Sequence, residues 1–236
     1  MKHTLQPISV SILAVVFAAF GPPAFAQDAA AKAPPVDRIS QMQGIAQSLG
    51  VKCNYCHSAA RGSGEPEPKK MIAKAMMDMT DEINSRIRAA TGKTAGQATE
   101  VQCSFCHRGV PIPKSITDIV WQTTREQNAA AAVEQYRGLR KQFYGRSTYD
   151  FSDEPLIGLA QRIANGRPDD AIALMRLNLE YYPQSVRSLE ALSFAQTRKL
   201  DDAAAIATLE KALEIEPENS EVKGRLEQLR SFRRRR

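Results

Sequence analysis

The chain has 236 residues, of which 43% are hydrophobic and 25% charged, so its composition is that of one or two ordinary globular domains. Its formal charge is +6, but four of the positive charges are the consecutive residues Arg233 to Arg236, and the rest of the chain is close to neutral. Because it has no Gly-rich phosphate loop and no basic stretch interleaved with aromatic residues, the sequence excludes a nucleic-acid-binding protein.

The first 26 residues have the pattern of an export signal. Lys2 and His3 give a charged start, and Ile8 to Phe20 form an apolar stretch of 13 residues, which is too short to span a bilayer. The small-x-small pattern Ala24-Phe25-Ala26 predicts cleavage after Ala26. No later segment is long and apolar enough for a membrane span. We therefore expect a periplasmic mature protein, which begins with an Ala- and Pro-rich linker over residues 27–36.

One five-residue pattern occurs twice, as Cys53-Asn54-Tyr55-Cys56-His57 and as Cys103-Ser104-Phe105-Cys106-His107. Cys-x-x-Cys-His is the pattern of covalent c-type haem attachment, in which the two thiols bind the porphyrin and the histidine becomes the proximal ligand of the iron. The motifs contain all four cysteines of the chain and two of its three histidines. They predict two covalently bound haem c groups, attached through Cys53, Cys56, Cys103 and Cys106 and ligated by His57 and His107.

Three other interpretations of the cysteines explain the sequence less well. A four-cysteine zinc site usually has its pairs about 15–20 residues apart, whereas 46 residues separate Cys56 from Cys103 here. A thioredoxin-like motif expects a βαβ context, which the sequence lacks. Two disulfides are compatible with an exported chain, but they leave the histidine after each pair unexplained.

A methionine-bearing helix is predicted before each motif. The first helix runs from about Asp37 to Leu49 and carries Met42 on its apolar face, and Gly50 follows as its C-cap. The second runs from about Lys69 to Ala90, with an apolar stripe of Ile72, Met76, Met79, Ile83 and Ile87.

The sixth ligand of each iron is restricted by the histidine count, because removal of His3 leaves no histidine outside the motifs. Methionine, lysine, a terminal amine or an open position remains. Methionine ligation raises the potential and suits electron transfer. Spacing favours Met42 for the first haem and leaves Met76 and Met79 as alternatives for the second.

The residues around both motifs resemble the cytochrome subunit of photosynthetic reaction centres. The resemblance covers about residues 37–114 and includes the runs from Met42 to His57, from Ala73 to Asn84 and from Cys103 to Gly109. It implies a helix, a turn and a haem motif, used twice, with the haem lying against the helix that supplies its sixth ligand. It also implies that Met42 is the sixth ligand of the first haem iron and that Met76, rather than Met79, is the sixth ligand of the second.

The chain departs from this family in ways that limit the comparison. The photosynthetic subunit carries four haems as two such pairs, and one of them has two histidine ligands. This chain has one pair of motifs and no spare histidine. It resembles a shorter relative with two haems, which implies electron carriage in general and gives no reason to infer photosynthesis.

The second half of the chain has a helical repeat pattern. Residues Ile116 to Phe143 predict one long helix. From Ala171 to Ala205, and from Pro183 to Pro217, the spacing is 34 residues, which resembles tetratricopeptide repeats. The turns inside the helix pairs are predicted at 167–170 and 199–202, and a closing helix at 220–232.

The sequence thus predicts a mainly α protein with a two-haem cytochrome c domain over 37–114 and a repeat domain over 115–236. The predicted function is electron transfer between redox partners, with a partner protein docked on the repeats. One alternative is a peroxidase-like haem enzyme with an open coordination position and Asp78 or Glu82 as its acid or base. Another is a repeat scaffold whose haems sense redox state. The pattern does not indicate an oligomeric state.

Overall fold

The computed structural model describes residues 37–57 and 68–235, and this part of the chain is mainly α-helical, as predicted. The predicted signal segment 1–26 and linker 27–36 lie outside the described residues. No helix among the described residues is long and apolar enough to cross a membrane. The first half contains α1 (Arg38–Leu49), a 3₁₀ turn (Cys53–Tyr55), α2 (Pro68–Thr91) and α3 (Cys103–His107). The second half contains α4 (Ile116–Glu126), α5 (Ala129–Phe143), α6 (Glu154–Ile163), α7 (Pro168–Tyr181), α8 (Val186–Arg198), α9 (Asp202–Ile215) and α10 (Ser220–Arg235).

The single helix predicted over residues 116–143 is wrong, because the chain forms α4 and α5 with a break at Gln127 and Asn128. Gln127 has φ −124° and ψ −90°, which is not helical. Asn128 then caps α5, since its side-chain oxygen accepts a hydrogen bond from the amide of Ala131 at 2.8 Å. An asparagine side chain competes in this way with the backbone of a continuous helix.

The helices after α5 follow one another as packed pairs, α6 with α7 and α8 with α9. The second helices of the two pairs start at Pro168 and Asp202, 34 residues apart, and Ala171 and Ala205 occupy matching positions with no exposed surface. The turn predicted at 167–170 lies earlier, at 164–167, because Pro168 takes the first helical position.

The hydrophobic core lies almost wholly in the second half. In the described part of the first half, only Asn84 and Val110 are buried, and Val110 packs in the same cluster as Ile116 and the helices that follow. The large apolar side chains of the first half are instead exposed: Ile39, Met42, Met71, Ile72, Met76, Met79, Phe105 and Ile112. The protein atoms of this half therefore supply little of a core by themselves.

Candidate haem sites

The first motif folds as a compact turn at the end of α1. The amide of His57 donates to the carbonyl of Cys53 at 3.0 Å, and the amide of Tyr55 donates to that of Lys52 at 2.9 Å. This turn brings Cys53, Cys56 and His57 to the wall of one cavity of about 590 Å³. That volume is in the range of cofactor and small-molecule sites.

The other walls of this cavity come from α1 and α2. Met42 lies on it together with the apolar residues of α1, while α2 contributes Lys70, Ala73, Lys74 and Met77. The lining residues of α1 and of the segment after it are Arg38, Ile39, Met42, Gln43, Ile45, Ala46, Leu49, Val51 and Lys52. The cavity thus combines two thiols, an imidazole and a thioether with apolar walls, and this set of groups fits a covalently attached haem.

The second motif forms the short helix α3, and its histidine is already oriented. Nδ1 of His107 lies 3.0 Å from the carbonyl oxygen of Val110, to which a protonated Nδ1 donates. Arg108 has a left-handed backbone (φ 46°), which turns the chain so that Val110 returns to the imidazole. This hydrogen bond leaves Nε2 with its lone pair, and it raises the basicity of a ligating histidine.

Helix α2 holds the segment that leads into the second motif. The side-chain amide of Asn84 donates to the carbonyl of Val101 at 3.0 Å, and its oxygen accepts from the Val101 amide at 2.7 Å. One turn later, Arg88 pairs with Glu100 at 2.9 Å. These contacts were not predicted, although the polar residue Asn84, next to Ile83 at the edge of the apolar stripe of α2, indicated a specific partner.

The methionines of α2 lie on different sides of the helix. Met77 lines the first cavity, but Met76 and Met79 do not, and they are 41% and 44% exposed. Helical spacing places Met76, seven residues before Ile83, in line with Ile83, whereas Met77, seven residues before Asn84, lies in line with Asn84. The preference for Met76 over Met79 at the second haem stays a prediction, and the position of Met77 was not predicted.

The chain segments before the first motif and after the second motif are in backbone contact. The amide of Gly109 donates to the carbonyl of Ser48 at 2.8 Å. Gly50 has φ +63°, and a Cβ atom built on it would lie 2.2 Å from the carbonyl oxygen of Gly109. On the other side, the hydroxyl of Thr148 donates to the carbonyl of Arg108 at 2.7 Å. These contacts connect the end of α1, the exit of the second motif and the second half of the chain.

The four cysteines of the two motifs have free thiols in this structure. All four thiols are unpaired, and no three metal-binding His, Cys, Asp or Glu side chains cluster among the described residues. Each motif contains two of these thiols and one histidine.

A second cavity, of about 560 Å³, lies on the repeat half between α6, α8, α9 and α10. Glu190, Arg198 and Arg225 are its charged residues, and Phe194 and Leu209 are among its apolar ones. Burial raises the pKa of Glu190 above its usual range, although Arg225 opposes this shift. The cavity is one candidate surface for a partner in the second half of the chain.

Comparison with known proteins supports the haem interpretation. A family model described as photosynthetic reaction centre cytochrome C subunit matches residues 39–152, so the match continues through α5. The cytochrome c subunit of the photosynthetic reaction center of Rubrivivax gelatinosus is 34% identical over 79 residues, which are 34% of this chain and 19% of that protein. The corresponding subunit of Thermochromatium tepidum is 32% identical over 62 residues, 26% of this chain and 14% of that one.

Cytochrome c-554 of Chloroflexus aurantiacus is 29% identical over 69 residues, which are 29% of this chain and 16% of that protein. The chain thus covers less than one fifth of the length of each of these relatives. The fold is mainly helical, and the proteins that the segment with the motifs matches are c-type cytochromes. Within that class, the segment with the motifs is similar to the cytochrome c subunits of reaction centres.

Proposed function

We propose that the protein is a periplasmic electron carrier with two covalently bound haem c groups. The observation that carries this proposal is the apolar cavity shared by Cys53, Cys56, His57 and Met42. The thiols of each motif would attach one porphyrin, and His57 and His107 would each supply the proximal nitrogen. Each bound haem would supply a reversible one-electron change at its iron.

Methionine side chains supply the opposite ligand in this proposal. Met42 on α1 serves the first site, and Met76 on α2 serves the second, with Met79 as the alternative. A thioether ligand raises the reduction potential, which suits an electron carrier. The hydrogen bond from His107 to the carbonyl of Val110 supports the same function, because it fixes the orientation of the imidazole.

The environment of the acidic residues on α2 argues for electron transfer over peroxidase-like chemistry. A peroxidase-like site needs an acid or base above an open coordination position. Asp78 is paired with Lys74 at 2.8 Å and Glu82 with Arg86 at 2.6 Å, and all four side chains are largely exposed. Neither carboxylate lines the first cavity.

The repeat half has a different role in this proposal. Its helix pairs, offset by 34 residues, are tetratricopeptide-like repeats that bind a partner protein, and the cavity around Glu190 and Phe194 is the surface offered to it. The two-domain division at residue 114 and the export signal with cleavage after Ala26 belong to the same proposal. It does not include a role in photosynthesis.

The haem content of purified protein tests the proposal. The full chain is expressed with a c-type haem attachment system, and the bound haem is measured after conversion to its pyridine complex. We expect two haems per chain, one in a Cys53→Ala/Cys56→Ala variant and one in a Cys103→Ala/Cys106→Ala variant. The visible spectrum should be that of two low-spin haems. A high-spin component that binds cyanide or peroxide would contradict the electron-carrier proposal.

A further inference from the structure

The hydrogen-bond acceptor of His107 is held from the second half of the chain. The carbonyl oxygen of Val110 lies 3.0 Å from Nδ1 of His107. The side chain of Val110 is buried in the hydrophobic cluster that includes Ile116 and residues of the helices after it. Val110 therefore contacts the imidazole through its backbone and the core of the second half through its side chain.

Thr148, in the loop between α5 and α6, makes a second connection of this kind. Its hydroxyl donates to the carbonyl of Arg108 at 2.7 Å, and the residue is only 5% exposed. The next residue, Tyr149, packs its ring against those of Phe143 and Phe151, with centroid distances of 5.2 and 5.9 Å. The loop that carries the hydroxyl is therefore held by the aromatic side chains of the second half.

The carbonyl that Thr148 binds belongs to the turn between the histidine and its acceptor. Arg108 has φ 46° and Gly109 has φ 87°, so both lie in the left-handed region. A residue other than glycine keeps this conformation where neighbouring contacts fix it. The bond from Thr148 fixes the peptide plane between Arg108 and Gly109. The orientation of this plane determines where the carbonyl of Val110 lies relative to His107.

We propose that Thr148 is a positioning residue for the second haem site and that it acts through Arg108 and Val110 on the orientation and basicity of His107. The proposal rests on the function proposed above and makes it more specific. A hydrogen bond from Nδ1 to a carbonyl raises the basicity of a ligating imidazole. A more basic ligand favours the oxidised iron, so this bond lowers the reduction potential of the site. The second half of the chain thus sets the potential of a site in the first half.

The test removes the hydroxyl of Thr148 without changing the shape of its side chain. Thr148→Val loses the bond to the Arg108 carbonyl, whereas Thr148→Ser keeps a hydroxyl. The matched control is Thr124→Val, because Thr124 is also buried and its hydroxyl also donates to a backbone carbonyl at 2.7 Å, that of Val120. All variants are full-length chains expressed with haem attachment, and haem content is measured on every sample.

Two quantities are measured by NMR on protein with isotope-labelled histidine. One is the rate at which the Nδ1 proton of His107 exchanges with solvent, and the other is the reduction potential of each site in a redox titration. We expect Thr148→Val to accelerate this exchange by about three- to tenfold, the factor that corresponds to one hydrogen bond. It should also raise the potential of the second site and leave that of the site with His57 unchanged. Thr148→Ser and Thr124→Val should change neither quantity.

The unsubstituted protein gives a test that does not depend on the folding of a variant. The Nδ1 proton of His107, which is half-buried, should exchange more slowly than that of His57, which is exposed. Exchange at His107 that is as fast as at His57 would overturn the proposal, as would equal effects of Thr148→Val and Thr124→Val. Absence of haem would refute the proposed function, whereas loaded Thr148→Val protein with an unchanged second potential would refute only the positioning role of Thr148.

Discussion

The contact between Gly50 and Gly109 can be tested by comparing Gly50→Ala with Gly92→Ala. Both glycines have a positive φ, but only Gly50 has a close backbone neighbour. Gly50 follows α1 with φ +63°, and Gly92 follows α2 with φ +66°. An alanine in the left-handed region costs about 1–2 kcal/mol at either position. A Cβ atom at Gly92 has no neighbour within 4 Å, whereas one at Gly50 would lie 2.2 Å from the Gly109 carbonyl oxygen.

The Gly50→Ala variant must therefore separate the two backbones by about 1 Å to reach ordinary contact. The neighbouring hydrogen bond from the Gly109 amide to the Ser48 carbonyl, at 2.8 Å, would break. Loss of such a bond in a half-buried place costs about 1–3 kcal/mol. We expect Gly92→Ala to lower the free energy of unfolding by about 1–2 kcal/mol, and Gly50→Ala by about 2–5 kcal/mol as the sum of both effects.

The assay is urea unfolding of both purified variants, followed by far-ultraviolet circular dichroism, with haem content measured first. Samples of equal haem content are compared, so that a difference in attachment does not enter the result. If the two substitutions reduce stability equally, the contact between the two motif segments does not contribute, and the reasoning from the 2.2 Å distance is refuted.

Three further predictions concern single side chains. Asn84→Ala removes both hydrogen bonds to Val101 and should cost about 2–3 kcal/mol in urea unfolding, while Ser85→Ala, on the exposed side of α2, should change little. Met42→Ala and Met76→Ala should each convert one low-spin haem to a high-spin form, which absorbance and electron paramagnetic resonance detect; if neither does, the ligand assignment is wrong. Burial raises the pKa of Glu190, so its ionisation opposes folding as pH rises above about 4.5, and Glu190→Gln should raise the melting temperature at pH 7 more than at pH 4.

Local sequence signals predicted those features of the structure that involve residues close together in the chain. The bounds of α1 and α2 agree with the predictions to within about one residue, since the apolar spacing and Gly50 are local signals. Met42 and the first motif line the same cavity, and only one helix and one short turn separate them in the chain. The break at Asn128 was missed even though an N-cap residue before an alanine run is a local signal.

The remaining features depend on contacts between distant residues, and periodicity cannot predict these. That Met77 faces the first cavity while Met76 does not depends on the rotation of α2 against α1. The approach of Gly50 to Gly109 joins residues 59 positions apart, and the bond from Thr148 to Arg108 joins residues 40 positions apart. Each glycine and threonine has ordinary local explanations, so the sequence gives no reason to pair them.

The packing of the first half connects cofactor attachment to folding. Between residues 37 and 114, the described chain buries only Asn84 and Val110, and Val110 is buried by the repeat half. In the proposed function, haem bound against α1 and α2 would cover their exposed apolar side chains, and removing apolar surface from water stabilises the folded state. The repeat half has its own core and does not need this contribution. We therefore expect a chain with all four cysteines replaced to keep α6 to α9 folded, and to show rapid amide hydrogen exchange in α1 and α2. Slow exchange in both of these helices without haem would contradict this connection between attachment and folding.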